Sequence, residues 1–347
     1  MTTAPETPAL ALPDLASHAV GGTVVACSDE FFAEVDNLLK PGESAHQPYT
    51  FGPKGQVYDG WETRRRRTPG DDWALVRLGV PGVVRAVVVD TAHFLGNFPE
   101  SCAVEACHAP GYPDAAALGG AEWTTIVPRS PLTGGDRHEF PVSDARYATH
   151  LRLTIHPDGG VARLRAHGEP VPDPAMLAGM PLDLAAMENG GRITGCSDRF
   201  FGAPGNLLLP GLAQVMGEGW ETRRRRGAGN DWVTIALAAE GVVRVVDLDT
   251  RHFKGNSPGE AALLGFRAAP GAEPPEDPAA WTPLLPRTPL RPDTRHRFRV
   301  DGTDAPPVTH VRLDIFPDGG VARLRLFGDL TPDGAAAVGA RWRALAG

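Results

Sequence analysis

The sequence predicts an all-β protein made by tandem duplication of two β-sandwich domains of the jelly-roll type. The segment Gly-Trp-Glu-Thr-Arg-Arg-Arg-Arg occurs at 60–67 and again at 219–226. Short runs that favour strands alternate with turns, for which 41 glycines and 34 prolines are available. Sustained helical periodicity is rare, as is typical of sandwiches and jelly rolls.

The internal repeat extends along most of the chain. Residues 27–29 return at 196–198, an offset of 169, whereas His93-Phe94 returns as His252-Phe253, an offset of 159. The first copy therefore holds ten extra residues, placed within 43–59. From this repeat we predict five regions: a flexible N-terminal tail (1–13), a first domain (14–168), a linker (169–182), a second domain (183–330) and a C-terminal tail able to form a short helix (331–347).

Local patterns assign elements in the first copy. The apolar spacing over 29–39 predicts a short helix. Alternation over 74–78 and the β-branched run over 83–89 predict two strands, the second of them buried. Residues 150–155 and 161–165 alternate on either side of the turn at 157–160, and 157–165 is identical to 317–325.

Composition narrows the classes of function. The formal net charge of −8 argues against a nucleic-acid partner despite the arginine runs. Four cysteines fit unpaired thiols in a reducing compartment rather than a disulfide framework. The absence of a signal-peptide pattern or a long apolar run predicts a cytoplasmic protein with no membrane contact.

The repeated Trp-Glu-Thr-Arg segment is the first candidate site. On a strand, Glu62, Arg64 and Arg66 would share one face, so that a carboxylate would lie among guanidinium groups. Arginine grips carboxylates in a bidentate manner, so Arg64 and Arg65 are candidates to bind an anionic substrate. The alternative is an internal ladder of ion pairs, which we favour for the later arginines at 66, 67, 225 and 226.

The loop after the buried strand is the second candidate site, because polar site residues collect on loops of rigid scaffolds. His93 and Asn97 recur as His252 and Asn256, whereas Glu100 is replaced by glycine in the second copy. Histidine transfers protons near neutral pH, although a structural role for it stays open. No common metal-ligand spacing occurs, so we expect no metal and no cofactor, with a divalent metal left open.

Residues 51–65, 72–73 and 90–100 together resemble the allantoicase (allantoate amidinohydrolase) family, and 219–224 with 252–256 resemble its second domain. The resemblance runs from Asp14 to Gly328. It implies two jelly-roll domains of the galactose-binding-like type and a homo-oligomer. It also implies a hydrolase of purine (allantoin) degradation and nitrogen metabolism that converts allantoate and water to (S)-ureidoglycolate and urea.

Allantoate carries a carboxylate and two ureido groups, and the candidate residues suit both. Arg64 and Arg65 would bind the carboxylate and Asn97 a ureido group. Lys54 and Tyr58 are further substrate-binding candidates, because the insertion that holds them is expected to cover the site as a lid or wall. Because a carboxylate among arginines has a lowered pKa, Glu62 is expected to be the base or an orienting group. The acid would then be His93 or Glu100. The second-copy equivalents are Glu221, Arg223, His252 and Asn256, and we expect the first copy to be the catalytic one.

The main alternative is a non-catalytic tandem module that binds carbohydrate or another ligand, since this fold often only binds. Such modules usually expose aromatic rings for stacking on sugars. Aromatic residues make up only 7% of this chain, and the repeated polar residues are Arg, Glu, His and Asn. That set favours a small anionic substrate.

Overall fold

The computed structural model describes residues 8–300 and 305–346, which form two compact, sheet-rich units. One unit ends at Val171 and the other begins at Pro172. Each unit contains one copy of the repeat with strands in matching order, and the predicted all-β duplicated fold is confirmed. The part of the predicted tail that covers residues 1–7 lies outside the described residues.

Strands supply most of the regular structure in the first unit, with one short helix, α1 (Ala115–Gly119). Its strands are β1 (Thr23–Cys27), β2 (Phe51–Gly52), β3 (Gly55–Gln56), β4 (Trp61–Glu62), β5 (Asp72–Asp90), β6 (Ser101–Cys107), β7 (Thr124–Pro131), β8 (Arg137–Pro141), β9 (Tyr147–His156), β10 (Gly160–Val161) and β11 (Arg163–Pro170).

The second unit begins with one additional strand, β12 (Leu182–Asp183), repeats this order without counterparts of β2 and β3, and ends in the helix α2 (Pro332–Leu345). Its strands are β12 (Leu182–Asp183), β13 (Arg192–Cys196), β14 (Trp220–Glu221), β15 (Asp231–Asp249), β16 (Glu260–Phe266), β17 (Thr282–Pro289), β18 (Arg295–Arg299), β19 (Val308–Phe316), β20 (Gly320–Val321) and β21 (Arg323–Leu330).

The long strand β5 joins the two layers of the first sandwich. Its first half pairs with β1 and β9, and its second half pairs with β8 and β11. The register with β9 breaks between Arg77 and Gly82, where the strand passes from one set of partners to the other. The two strands predicted at 74–78 and 83–89 are therefore one strand, and β15 has the same construction.

A buried tryptophan anchors the start of the repeated segment in each unit. The side chains of Trp61 and Trp220 are fully buried. The indole N–H of Trp61 donates to the Asp29 carbonyl at 2.7 Å, and that of Trp220 donates to the Asp198 carbonyl at 2.9 Å. Because a buried indole N–H needs an acceptor, this bond positions the chain around residue 29 against β4.

The predicted helix over 29–39 is wrong in its first half. Only Val35–Leu39 is helical, as a 3-10 turn. The Asp29 carboxylate accepts the backbone N–H groups of Phe31 and Arg64, at 3.1 and 2.8 Å, and these bonds hold the preceding residues in a loop.

The chain is also ordered at both edges of the first domain, where we predicted a tail to residue 13 and a linker from residue 169. Pro8–Ala11 forms a 3-10 turn, and Leu10 is buried against Ala86 and Val88. β11 continues to Pro170, which pairs with β5. At these edges, strand pairing and burial of side chains outweigh the tendency of the nearby prolines to favour an irregular chain.

Candidate active site

The strand expected for the repeated segment is only two residues long. β4 pairs with β10, and Glu62 forms a further bridge with Ala33 on its other side. Thr63 is buried, and its hydroxyl accepts the Gly159 N–H at 3.1 Å. The chain then leaves the sheet, so the predicted alternation of faces ends at Thr63 and does not extend to the arginines.

Arg64 is paired within the chain rather than with Glu62. Its guanidinium lies 2.6 Å from the Asp29 carboxylate and stacks on Phe31, with 5.3 Å between the guanidinium carbon and the ring centroid. Arg65 is exposed and forms no hydrogen bond or ion pair with any of the described residues. The two arginines that we predicted to bind the substrate carboxylate therefore differ: Arg64 is paired with Asp29, and Arg65 is exposed to solvent.

Arg66 has the structural role predicted for the later arginines. It pairs with the buried Asp72 at 2.7 Å, and its backbone N–H donates to Asp158 at 2.7 Å. Arg225 pairs with Asp231 in the same way in the second unit. These ion pairs hold the end of the repeated segment against the long strand, which confirms the structural interpretation for these two residues.

Glu62 and Asn97 form the centre of the site, because the Asn97 amide donates to the Glu62 carboxylate at 2.7 Å. Glu62 is half-buried and has no cationic partner among the described residues. Desolvation by burial raises the pKa of Glu62, and the hydrogen bond from Asn97 offsets only part of this effect. The expected lowering of this pKa by neighbouring arginines is thus wrong, since Arg64 pairs with Asp29.

The turn that connects β9 to β10 contacts the backbone of the loop that carries Asn97 and holds this loop in place. The Gly160 N–H donates to the Asn97 carbonyl at 2.7 Å. Gly159 has φ +139°, and a Cβ atom on it would lie 2.7 Å from the same carbonyl oxygen. This turn explains why 157–165 is identical to 317–325, whereas the sequence alone showed only a turn.

His93 has a backbone conformation that is unusual for histidine, with φ 71°. Its Nε2 lies 3.1 Å from the Ser44 carbonyl oxygen. Because a carbonyl only accepts, Nε2 carries the proton, and Nδ1 of the neutral ring is left as an acceptor. The loop is held by the buried Thr91, whose hydroxyl donates to the Thr133 carbonyl at 2.6 Å. Nδ1 has no hydrogen-bond partner among the described residues, and a positive φ at a non-glycine residue points to a functional site.

The inserted residues of the first copy form the β2–β3 hairpin and one wall of a cleft of about 420 Å³. Lys54 and Tyr58 line this cleft, opposite the 3-10 turn at Val35–Leu39. The Tyr58 ring also stacks on Phe94, with 5.1 Å between the ring centroids. Tyr58 thus connects the cleft to the loop that carries His93.

A buried arginine that the sequence interpretation missed anchors the end of the insertion. Arg163 is 3% exposed and lies 2.7 Å from the Asp59 carboxylate. The same carboxylate accepts the Ala45 N–H at 2.9 Å, so both ends of the inserted segment are fastened together. The repetition of Arg163 as Arg323 was the available signal.

Glu100 lies apart from this cluster of interactions. Its side chain is exposed and makes no hydrogen bond or ion pair within the described part of the chain. Its backbone N–H donates to the His156 carbonyl at 3.0 Å, immediately before β6. The structure brings Glu62, His93, Asn97 and Tyr58 to one region, but it gives Glu100 no contact with them.

The second unit repeats the central geometry without the inserted hairpin. Asn256 donates to Glu221 at 2.6 Å, and His252 has φ 73° with its Nε2 2.9 Å from the Ala213 carbonyl oxygen. Arg223 stacks on Phe200, at 4.3 Å from the ring centroid. Glu221, His252 and Asn256 are thus arranged as in the first copy, whereas Arg223 keeps the ring contact but forms no ion pair with Asp198.

The described ranges contain neither a metal-binding cluster nor a membrane-spanning helix. No cluster of three or more His, Cys, Asp or Glu side chains there is arranged to hold a metal ion. Over the same residues, no helix is long and apolar enough to span a membrane.

Known proteins match both the sequence and the fold. The family model described as "Allantoicase repeat" matches residues 13–171 and 182–331. A probable allantoicase of Nocardia farcinica is 54% identical over 92% of this chain and 94% of its own, and one of Streptomyces avermitilis is 49% identical over 96% and 90%. The crystal structure of allantoicase from Saccharomyces cerevisiae is 33% identical, with a TM-score of 0.77 over 91% of this chain and 92% of that chain.

Proposed function

The chain belongs to the allantoicase family and hydrolyses allantoate in purine degradation; on that premise we propose that Glu62, Asn97 and His93 of the first repeat form its active site. The observation that carries this assignment is the half-buried Glu62 carboxyl, which is bonded to Asn97 and has no cationic partner among the described residues. A carboxyl with a raised pKa keeps its proton at higher pH and can act as a general acid.

The reaction requires one proton to be delivered and one to be removed. The bond between the α-carbon of allantoate and one ureido nitrogen breaks, and Glu62 gives its proton to the departing urea. The oxygen of water bonds to the same carbon and loses a proton to Nδ1 of His93. Allantoate and water thus become ureidoglycolate and urea, and proton return from the imidazolium to Glu62 restores both groups.

Asn97 positions these groups. One of its two amide hydrogens is bonded to Glu62, which fixes the direction of the carboxyl. The side-chain oxygen and the second side-chain amide hydrogen of Asn97 are suited to the complementary N–H and C=O groups of a ureido substituent. Tyr58, which contacts both the cleft and Phe94, closes one side of the substrate volume.

Lys54 is the cation that we assign to the substrate carboxylate. Arg64 is occupied by Asp29 and Arg163 by Asp59, whereas Lys54 forms no ion pair with the described residues. Its ammonium lies 5.8 Å from the Phe31 ring centroid, at the wall of the cleft. An ammonium on a flexible four-carbon stem can reach a carboxylate bound in this cleft.

The finer properties of the protein are part of the same proposal. The four cysteines are unpaired thiols, which supports a cytoplasmic location. The exposed pairs Phe31–Phe32 and Phe200–Phe201 support a homo-oligomer. The acidic net charge supports the absence of a nucleic-acid partner. We also propose that no cofactor is needed, so that urea release persists after treatment with a chelator.

Replacement of Glu62 tests the catalytic assignment. We expect Glu62→Gln to lower kcat for urea release from allantoate by roughly 10²- to 10⁴-fold, because glutamine cannot donate the proton. The matched control is Glu221→Gln in the second repeat, which should retain turnover. Loss of turnover in the control alone would place catalysis in the second repeat, and no urea from the wild-type chain at high concentration would support a binding protein.

A further inference from the structure

The second repeat retains the whole central arrangement of the first, although it lacks the inserted hairpin. Asn256 donates to Glu221 at 2.6 Å, and the Gly320 N–H donates to the Asn256 carbonyl at 2.8 Å. Thr222 is buried, and its hydroxyl accepts the Gly319 N–H at 3.0 Å. The supporting turn, the amide and the carboxylate thus have the same mutual geometry in both repeats.

His252 also keeps the uncommon conformation of His93. Its φ is 73°, and its backbone N–H is fixed by the Asp293 carboxylate at 2.8 Å. The bond between Nε2 and the Ala213 carbonyl leaves Nδ1 as an acceptor, as in the first repeat. A position that only shapes the chain would be less strained with glycine or asparagine, so a histidine there points to a use for its ring.

The Asn256 amide has a weak partner on its outer side. Its second contact is the thioether sulfur of Met216, at 3.4 Å. Sulfur of this kind is a poor hydrogen-bond acceptor, and Met216 is an exposed residue of the short connection that replaces the inserted hairpin. A carbonyl oxygen of a ligand would therefore displace it at little cost, while Glu221 would accept the ligand's N–H groups.

We propose that the second repeat is a second ligand site, which binds small molecules that carry both a ureido group and a carboxylate. Lys254 supplies the cation, since it is 79% exposed and its one ion pair, with Asp293, is long at 3.8 Å. The site has no counterpart of the inserted hairpin that carries Lys54 in the first repeat, so it binds without being the main source of turnover. This inference rests on the function proposed for the first repeat.

The experiment is a calorimetric titration of the full chain with N-carbamoylglycine. This probe has one ureido group and one carboxylate, and it lacks the second ureido nitrogen that assists departure of urea. We expect two sites per chain in the wild type and one in Asn256→Leu, with urea release from allantoate kept within about twofold, a change of under 0.5 kcal/mol. Asn97→Leu should also leave one site, but with urea release lost.

Each result has a separate meaning. A wild type that binds one equivalent or none, or an Asn256→Leu variant that still binds two, overturns the second site. If Asn97→Leu keeps turnover while two sites are counted in the wild type, the second site stands and the active-site assignment fails. Should Asn256→Leu not fold, as seen in its unfolding midpoint, Glu221→Gln replaces it, and we expect at least fivefold weaker binding at one of the two sites.

Discussion

Arg64, the first arginine of the repeated segment, forms its ion pair with Asp29 rather than with Glu62. Hydrogen bonds from Phe31 and Arg64, together with the guanidinium of Arg64, lower the pKa of Asp29 despite its partial burial. Glu62 receives only an amide, so its pKa moves upward. In the proposed active site, Asp29 is thus a structural carboxylate and Glu62 is the carboxyl that transfers the proton.

The raised pKa of Glu62 has a consequence for stability. An ionised Glu62 costs the folded state free energy, and this cost is absent below the pKa of the unfolded chain and develops as the pH rises toward the folded pKa. We expect Glu62→Gln to increase the free energy of unfolding at about pH 7 and to change it little near pH 3. Denaturant unfolding at the two pH values measures this, and a variant less stable than wild type at neutral pH contradicts it.

His93→Asn separates the proton-transfer role of His93 from its backbone conformation. Asparagine tolerates positive φ, so we expect the unfolding free energy to stay within about 0.5 kcal/mol of wild type. Loss of the acceptor Nδ1 should lower kcat by roughly 10²- to 10⁴-fold. His252→Asn is the control and should retain urea release. Equal kcat values for wild type and His93→Asn would assign the ring a structural role.

At the scale of elements, the β9–β10 turn supports the loop that carries His93 and Asn97. A Cβ atom on Gly160 would lie 2.0 Å from a ring carbon of Phe94, and one on Gly320 would lie 1.9 Å from the same atom of Phe253. We expect each Gly→Ala substitution to lower the unfolding free energy by about 1–3 kcal/mol through overpacking.

Activity should distinguish these two substitutions, because only Gly160 supports the loop with His93 and Asn97. We expect Gly160→Ala to reduce urea release by at least about tenfold, or 1.4 kcal/mol, whereas Gly320→Ala retains it. Unfolding midpoints and kcat measured on the same preparations provide the comparison. Equal losses of activity in both variants would show that stability alone accounts for the effect.

The sequence predicted strands where alternation and β-branching are strong, but it could not show that 74–78 and 83–89 are one strand. Continuity of β5 depends on partners far along the chain, since its two halves pair with different strands. The helix expected over 29–39 failed for a similar reason. The Asp29 carboxylate binds backbone groups of Phe31 and Arg64, and apolar spacing carries no information about such bonds.

Over the whole molecule, comparison of the two repeats identified the candidate residues of the site. It could not show which side chains these residues contact in the folded chain. Glu62, His93 and Asn97 recur in the second copy, so comparison of the two halves selected them. The contact between Arg64 and Asp29 spans 35 positions, and a pKa expectation based on neighbours in sequence took the wrong sign. Burial, which decides that sign, belongs to the folded chain.

The inserted hairpin is the main difference between the two units, and its removal tests which unit is catalytic. Deletion of residues 46–55 leaves three residues between Ala45 and Asp59, as the second unit has between Gln214 and Glu218. We expect the fold to survive, because the Ala45–Asp59 bond of 2.9 Å stays, as does its equivalent of 2.7 Å in the second unit.

Activity should nevertheless fall, since the deletion removes Lys54 and one wall of the cleft that Tyr58 also lines. We expect kcat/KM for urea release to drop roughly 10- to 10³-fold, or about 1.4–4 kcal/mol of transition-state stabilisation, with an unchanged unfolding midpoint. Lys54→Ala, which keeps the hairpin, should raise KM more than it lowers kcat if this side chain mainly holds the carboxylate. A deletion variant that keeps kcat/KM within about twofold, under 0.5 kcal/mol, would show that the hairpin does not cover the working site, and the first repeat would then have no structural advantage over the second.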